Sequence, residues 1–431
     1  MKFKKLAMAL AVSGLVLPGI ASATNGYFSH GYGMKSKGMG GVGIALPQDA
    51  MAAANNPANM VLVGDRIDLG VDWFNPDRTA TWKGTVAGGF VNGAYPTTNQ
   101  GDFNSGSKNF FVPEFGYNKM INDRMSLGVS VYGNGGMNTD YGKVVIAGGT
   151  SNTYSNLEQL FIAPTWSMKL SDKNAIGVTL NFAYQTFEAR GLQAFDAAGQ
   201  TLYRGAVTDN GKDTSTGWGV RIGWTGQISP NVTLGATYQS KTKMSKFDKY
   251  KGLFAEQGGF DIPETYGIGI AVKATDKLTV AGDVVQINYG DIRSLANDGS
   301  KFPGVAGTPL GGDNGSGFGW SDQTVYKLGM TYQYSPNLLL RAGYNYAAMP
   351  ISQKNTYFNI LAPATVEQHL TLGATWTMAN KSELTVSYMH AFSKGIDGVN
   401  NGNGGFAGVD GHPINLKMDQ NALGIAYGWK M

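Results

Sequence analysis

Met125-Ser126-Leu127-Gly128-Val129-Ser130-Val131-Tyr132 alternates without a break: Met125, Leu127, Val129 and Val131 fall on one face, Ser126, Gly128 and Ser130 on the other. A two-residue period belongs to an extended strand with one apolar face, because successive side chains of a strand point to opposite sides. The pattern recurs in Trp218, Val220, Ile222 and Trp224 set against Gly219, Arg221 and Gly223. It recurs again in Tyr326, Leu328, Met330 and Tyr332 set against Lys327, Gly329 and Thr331. In each segment the bulky face suits lipid and the small or polar face suits a lumen.

Outward from this stretch, fourteen such segments are expected, near 66–74, 110–119, 125–133, 159–169, 175–190, 216–227, 232–240, 264–273, 277–290, 320–334, 337–347, 366–378, 382–393 and 418–430. Their connections alternate in length. Short turns such as Asn122-Asp123-Arg124, Ser229-Pro230-Asn231 and Ser335-Pro336 are separated by long loops rich in glycine and asparagine. That alternation marks an outer-membrane barrel, with short periplasmic turns and long external loops. Strands of about ten residues, rising about 3.3 Å each and tilted near 45°, cross a membrane core of roughly 25 Å. A closed ring also leaves no strand edge exposed. A soluble β-sandwich would lack the alternation. The expected fold is all-β: a 14-stranded antiparallel transmembrane β-barrel over 65–431 with an N-terminal plug in its lumen.

Composition agrees. Glycine supplies 62 of 431 residues, and charged residues are only 15% of the chain, low for a soluble surface of this size. Lys2, Lys4 and Lys5, the apolar run from Leu6 to Leu17 and Ala21-Ser22-Ala23 predict a secretory signal peptide over 1–23. Without its three lysines the chain carries 31 basic and 30 acidic residues, a net of +1, so there is no basic footprint for nucleic acid. No run of 18 apolar residues predicts a membrane-spanning helix, and the lack of cysteine removes disulfides and thiolate metal sites.

Residues 24–64 show neither alternation nor repeated turns. They open glycine-rich, pass through an expected short helix around 48–54 and reach Asn55-Asn56-Pro57-Ala58. A barrel of fourteen strands is too wide for its own side chains to fill. This segment is therefore read as a hatch that plugs the lumen.

Asn56-Pro57-Ala58 after a compact glycine-rich stretch resembles the hatch of the FadL-type (outer membrane protein P1/TodX-like) transporters of long-chain fatty acids and hydrocarbons. Further similar motifs follow in order: Pro113-Glu114-Phe115-Gly116-Tyr117, Gly135-Gly136-Met137-Asn138-Thr139-Asp140-Tyr141, Trp320-Ser321-Asp322, Arg341-Ala342-Gly343-Tyr344 and Ser387-Tyr388-Met389-His390. The resemblance implies a fourteen-stranded barrel with a hatch and a kink in the third strand that opens a sideways exit. Gly133, Gly135 and Gly136 stand where that kink would be. Clustered glycines favour a bulge or bend, and they also suit a strand that simply ends in its loop.

The chemistry points to binding rather than catalysis. His30, His369, His390 and His412 have no metal-ligand spacing, and no nucleophile elbow or phosphate loop is present. A fatty acid offers an apolar tail and a carboxylate that seeks a cation. Arg221, Lys327 and Arg341 fall on inward faces and are candidate ligand contacts, although acids such as Asp283 compete for them. Phe254 and Phe358, with Leu253, Phe260, Phe302, Ile360 and Leu361, are candidates for an apolar capture groove in the loops, and they would equally pack against one another.

The expected function is passive outer-membrane transport of hydrophobic small molecules, long-chain fatty acids or related lipophiles, by loop capture, lumen binding and lateral release. The expectation includes no enzyme activity, cofactor or metal. Expected partners are the hydrophobic substrate, outer-membrane lipid and lipopolysaccharide, and the barrel-assembly machinery. The alternatives are a channel for aromatic or alkane hydrocarbons, a polar-solute porin, a barrel lipase and a surface adhesin.

Overall fold

Each alternating segment forms a strand that pairs with its neighbours in sequence. In chain order these are β1 (Arg66–Trp82), β2 (Phe110–Asn122), β3 (Met125–Asp140), β4 (Tyr154–Ser171), β5 (Asn174–Arg190), β6 (Asp213–Ser229), β7 (Val232–Gln239), β8 (Thr265–Lys273), β9 (Leu278–Ile287), β10 (Gln323–Ser335), β11 (Leu338–Ala347), β12 (Gln368–Thr377), β13 (Glu383–Ile396) and β14 (Ile414–Lys430). β14 pairs back onto β1 from Arg66↔Lys430 to Trp82↔Ile414, which closes the antiparallel ring. This computed structural model describes residues 24–82, 101–146, 149–300, 303–399 and 414–431. The expected signal peptide at 1–23 lies outside the described residues, as do Phe302 and His412.

Fourteen strands and the alternation of short turns with long loops are as the sequence predicts. The loop-side boundaries differ. β1 runs to Trp82 rather than 74, β3 to Asp140 rather than 133, and β14 begins at Ile414 rather than 418. Above the lipid band the outer face turns polar and apolar side chains such as Ile414, Leu416 and Met418 turn inward, so the lipid-facing pattern ends while the hydrogen-bond ladder continues. Two short strands, Gly101–Asn104 against β1 and Lys243–Met244 against β6, extend the wall on the same side and carry no alternation at all.

The wall separates the two faces as expected. Trp218 is 65% exposed on the outside while Arg221, three residues on, is 6% exposed inside. Leu127, Ile222, Tyr326, Leu328 and Trp376 are among the exposed bulky residues of the outer belt. Ser126, Ser130, Thr179 and Asn181 are buried within.

Residues 24–64 lie inside the ring and contact strands on all sides of it. The expected helix around 48–54 is instead a single 3₁₀ turn, Ala52–Ala54, followed by a second, Pro57–Leu62, with one α-turn earlier at Met34–Lys37. Pro47 and Pro57 bracket the alanine run, leaving too few residues to nucleate a longer helix. Glycines on the inner wall make the fit possible. A Cβ on Gly223 would lie 1.9 Å from Asn56 Oδ1, and one on Gly177 would lie 2.4 Å from the carbonyl carbon of Pro57.

Candidate functional site

Asn56-Pro57-Ala58 is a helix start. The Asn56 side chain accepts a hydrogen bond from the Ala58 N–H at 3.1 Å, and Pro57 takes the first helical position. The other end of the same carboxamide donates to Ile44 O at 2.8 Å and to Trp224 O on β6 at 2.9 Å. One side chain thus shapes the turn and fixes it to the wall.

Ion pairs fix the rest of the segment. Lys35 reaches Glu383 on β13 at 2.6 Å, a carboxylate shared with Arg66 on β1 at 2.9 Å and Lys430 on β14 at 2.6 Å. Lys37 pairs with Asp72 on β1 at 2.8 Å. Backbone amides do the same work where the hatch has no charge to offer: Asp283 on β9 accepts from Gly43 and Ile44 at 2.8 and 3.1 Å, and Glu114 on β2 accepts from Gly33 and Met34. A buried carboxylate that accepts several such bonds is compensated, and an unpaired one is costly.

The candidate cations are drawn into this network. Arg221 donates to Gln239 at 3.1 Å, to the Ala54 carbonyl and to Asn55 O at 3.3 Å. Lys327 donates to His30 O at 3.0 Å and Gly41 O at 3.2 Å. These two share a narrow cleft of about 50 Å³ with Phe28, Tyr32, Ile44 and Asp283. Arg341 lines no part of it and instead bonds to Thr375 at 2.6 Å and to Gln48.

Phe254 and Phe358 come together from separate loops to line a second, nearly closed cavity of about 20 Å³, with Met137, Phe187, Phe318 and Leu361. The loop residues do not form an open external groove. Leu253, Phe254, Phe260, Phe358, Ile360 and Leu361 are buried in one cluster, packed against one another and around this cavity. Phe187 and Phe318 were not anticipated. Phe187 lies on the loop-side end of β5, where polar neighbours obscure the alternation.

The glycine stretch is a bulge within a continuing strand. β3 stays paired with β4 up to Asp140, with a register shift between Gly133 and Gly135. Its other edge parts from β2 above the pair Glu114↔Tyr132, although β2 itself continues to Phe110. In place of β2, the hatch supplies partners: Gly136 N–H donates to Tyr27 O at 3.0 Å, Ser29 N–H to Asn134 O at 3.2 Å, and Phe28 bridges Gly135. At the top, Gly106 N–H donates to Asp140 O at 2.6 Å. The gap between β2 and β3 is therefore a window with closed upper and lower edges and the Tyr27–Ser29 backbone across its inner side.

No cluster of three potential metal ligands occurs among the described residues. Ser387 meets the sulfur of Met34 and His390 meets Asn421, so neither serves the other as nucleophile and base.

Comparison with known proteins agrees with this architecture. The chain is 24% identical to the long-chain fatty acid transport protein of Escherichia coli (strain K12), over 92% of this chain and 94% of that one. Among solved structures, the toluene transporter TodX of P. putida superposes with a TM-score of 0.68 at 17% identity, covering 93% of this chain and 99% of the other. A Pseudomonas aeruginosa FadL homologue gives a TM-score of 0.66 at 16% identity, with 94% and 99% covered. A protein-family model, that of the outer membrane protein transport proteins OMPP1, FadL and TodX, matches residues 20–430. With the family matched over nearly the whole chain and the barrel closed as described, this protein belongs to the OMPP1/FadL/TodX family of outer-membrane transport proteins.

Proposed function

We propose that the protein carries hydrophobic small molecules passively across the outer membrane: capture in the apolar cavity beneath the loops, passage beside the hatch, and release into the bilayer through the window between β2 and β3. The observation that carries this reading is the cavity around Phe254 and Phe358, whose lining is almost wholly apolar. Such a lining favours an alkyl or aryl solute by about 0.8 kcal/mol per buried methylene and offers a sugar or ion nothing. The hatch closes the lumen in this reading, and its polar anchorage supports that role. A lateral route spares the solute the aqueous periplasm, so its own partition into membrane drives the flow.

Long-chain fatty acids are the favoured substrate class. Arg221 and Lys327 beside the lower cleft suit a carboxylate, and the E. coli relative is named for fatty acid transport. Monoaromatic hydrocarbons are the second reading, favoured by the aromatic lining and by the printed name of TodX. The test is saturable uptake of labelled oleate and of toluene by cells carrying the parent or Phe254→Asp. A buried carboxylate in the cavity is expected to lower uptake at least tenfold while the barrel remains heat-modifiable. Absence of saturable uptake of any hydrophobe by the parent would end the reading.

A further inference from the structure

Among the described residues Arg78 is the guanidinium at the window, and its charge has no part in the anchorage of the hatch. It points inward from β1 and is 4% exposed. Its two terminal nitrogens donate to Asn138 O on β3 and to Ser107 O just before β2, while its Nε, also buried, has no partner. Among the described residues no carboxylate pairs with it. Its neighbour Asp77 points to the opposite face of the strand and is held by Lys108 at 3.0 Å. The charge is thus desolvated, and its hydrogen bonds go to neutral carbonyls.

The surroundings supply the other half of an amphipathic site. The guanidinium lies 5.7 Å over the ring of Phe110, which packs with Phe74, Met389 and Met418 in an apolar patch on the inner wall. On β3, Asn138 directly follows Met137, a lining residue of the capture cavity. A cation beside an apolar patch, bonded to the residue that follows the cavity-lining Met137 and placed on the edge of the window, matches the head and tail of a fatty acid.

We propose that Arg78 is a carboxylate-binding site at the upper edge of the window, and that binding there loosens the window. The inference rests on the uptake reading above. A carboxylate accepts from both terminal nitrogens in parallel, and such charge-assisted bonds are roughly twice as strong as bonds to neutral acceptors. The acid therefore displaces Asn138 O and Ser107 O. Those two carbonyls belong to opposite sides of the window, so their release removes the Arg78 tie between β3 and the segment leading into β2 at the moment the substrate arrives. The bonds of Asp140 to Gly106 and Ser105 are left to hold the upper edge. A neutral hydrocarbon exerts no such pull.

The test compares oleate with oleyl alcohol, equal in tail and different in charge, in uptake by cells carrying the parent, Arg78→Gln or Arg78→Lys. The ratio of oleate to alcohol uptake is expected to fall about tenfold or more in Arg78→Gln, the usual loss for a charge-assisted bond. In Arg78→Lys it is expected to fall less, because the ammonium keeps the charge without the fork. Should the glutamine variant fail to assemble, the lysine variant still decides through its lowered ratio. An unchanged ratio in an assembled variant of either kind overturns the carboxylate site and leaves the uptake reading standing. No saturable uptake of either compound by the parent overturns the uptake reading and this site with it.

Discussion

His30 shows how the hatch depends on staying dry. Its Nε2 faces Lys37 O at 3.2 Å and its ring stacks 6.1 Å from that of His369. Burial, reinforced by the nearby charges of Lys37 and Lys327, pushes its pKa down to about 3. An unfolded histidine takes up its proton near pH 6.5, so between that value and about 3 the unfolded chain holds the extra proton. The stability that neutral His30 contributes is complete above the unfolded value and is lost as the pH falls, by at most about 1.4 kcal/mol per pH unit. His30→Gln is expected to flatten the fall of the melting temperature between pH 6.5 and 3.5, as followed by circular dichroism; an unchanged slope would assign the acid sensitivity to other groups. Legibility at this scale follows the distance between partners. Asn56-Pro57-Ala58 stood out in the sequence by its resemblance to a family hatch, and its role as a helix cap, although local chemistry, emerged only with the structure. The partners of Arg78 stand 60 and 29 positions away, and no spacing rule connects them.

At the scale of the element, β3 carries the most specific expectation. The glycine cluster was legible as a place where a strand either bends or ends in its loop. What the sequence did not disclose is that the strand exchanges β2 for a length of hatch, because that exchange depends on where residues 24–32 come to lie. Gly135 is the point of contact: a Cβ there would meet Tyr27 O at 1.9 Å, far inside any tolerable approach. Gly135→Ala is therefore expected to push the Tyr27–Ser29 backbone off β3 and break the hydrogen bonds at Gly136 and Asn134. Hydrogen exchange read by mass spectrometry should quicken in peptides covering 24–32 and 133–140 and stay unchanged in β8 and β9. Unaltered protection of both peptides would mean that the hatch holds its place without this contact.

For the whole molecule, ring closure and strand number were the most legible features, since lipid outside and a lumen inside impose a two-residue period on every membrane-crossing strand. The wall above the membrane was not, because there the apolar face turns inward, as in Ile414, Leu416 and Met418, and the outer face no longer carries the lipid-facing pattern. The proposed closure of the lumen by residues 24–64 leads to a direct expectation. Deleting them while keeping residues 1–23 leaves a ring whose inward charges, Asp72, Asp283, Lys327 and Glu383 among them, face a water-filled bore. Water can solvate those groups, so the barrel should remain heat-modifiable with a lower melting temperature, and its single-channel conductance in planar bilayers should rise. A conductance equal to that of the parent would place the seal elsewhere, in the loops.

The anchorage of the hatch also has a bearing on descent. Lys35 answers a carboxylate 348 positions away and Lys37 one that is 35 away; loss of Asp72 strands the buried charge of Lys37 at a cost of about 3–5 kcal/mol, whereas loss of Lys35 leaves Glu383 with Arg66 and Lys430. Position 37 is not free to drift alone. Lineages of this family that abandon the lysine at 37 should have replaced Asp72 in company with it, whereas the lipid-facing sites Leu127, Ile222 and Leu328 should wander among apolar residues independently of one another. An alignment of relatives in which the paired positions vary without regard to each other would show that the hatch is held by something other than these charges. If they change together, the plug and the wall have been inherited as one unit, and grafting a hatch from one member into the barrel of another will succeed only when its acidic partners travel with it.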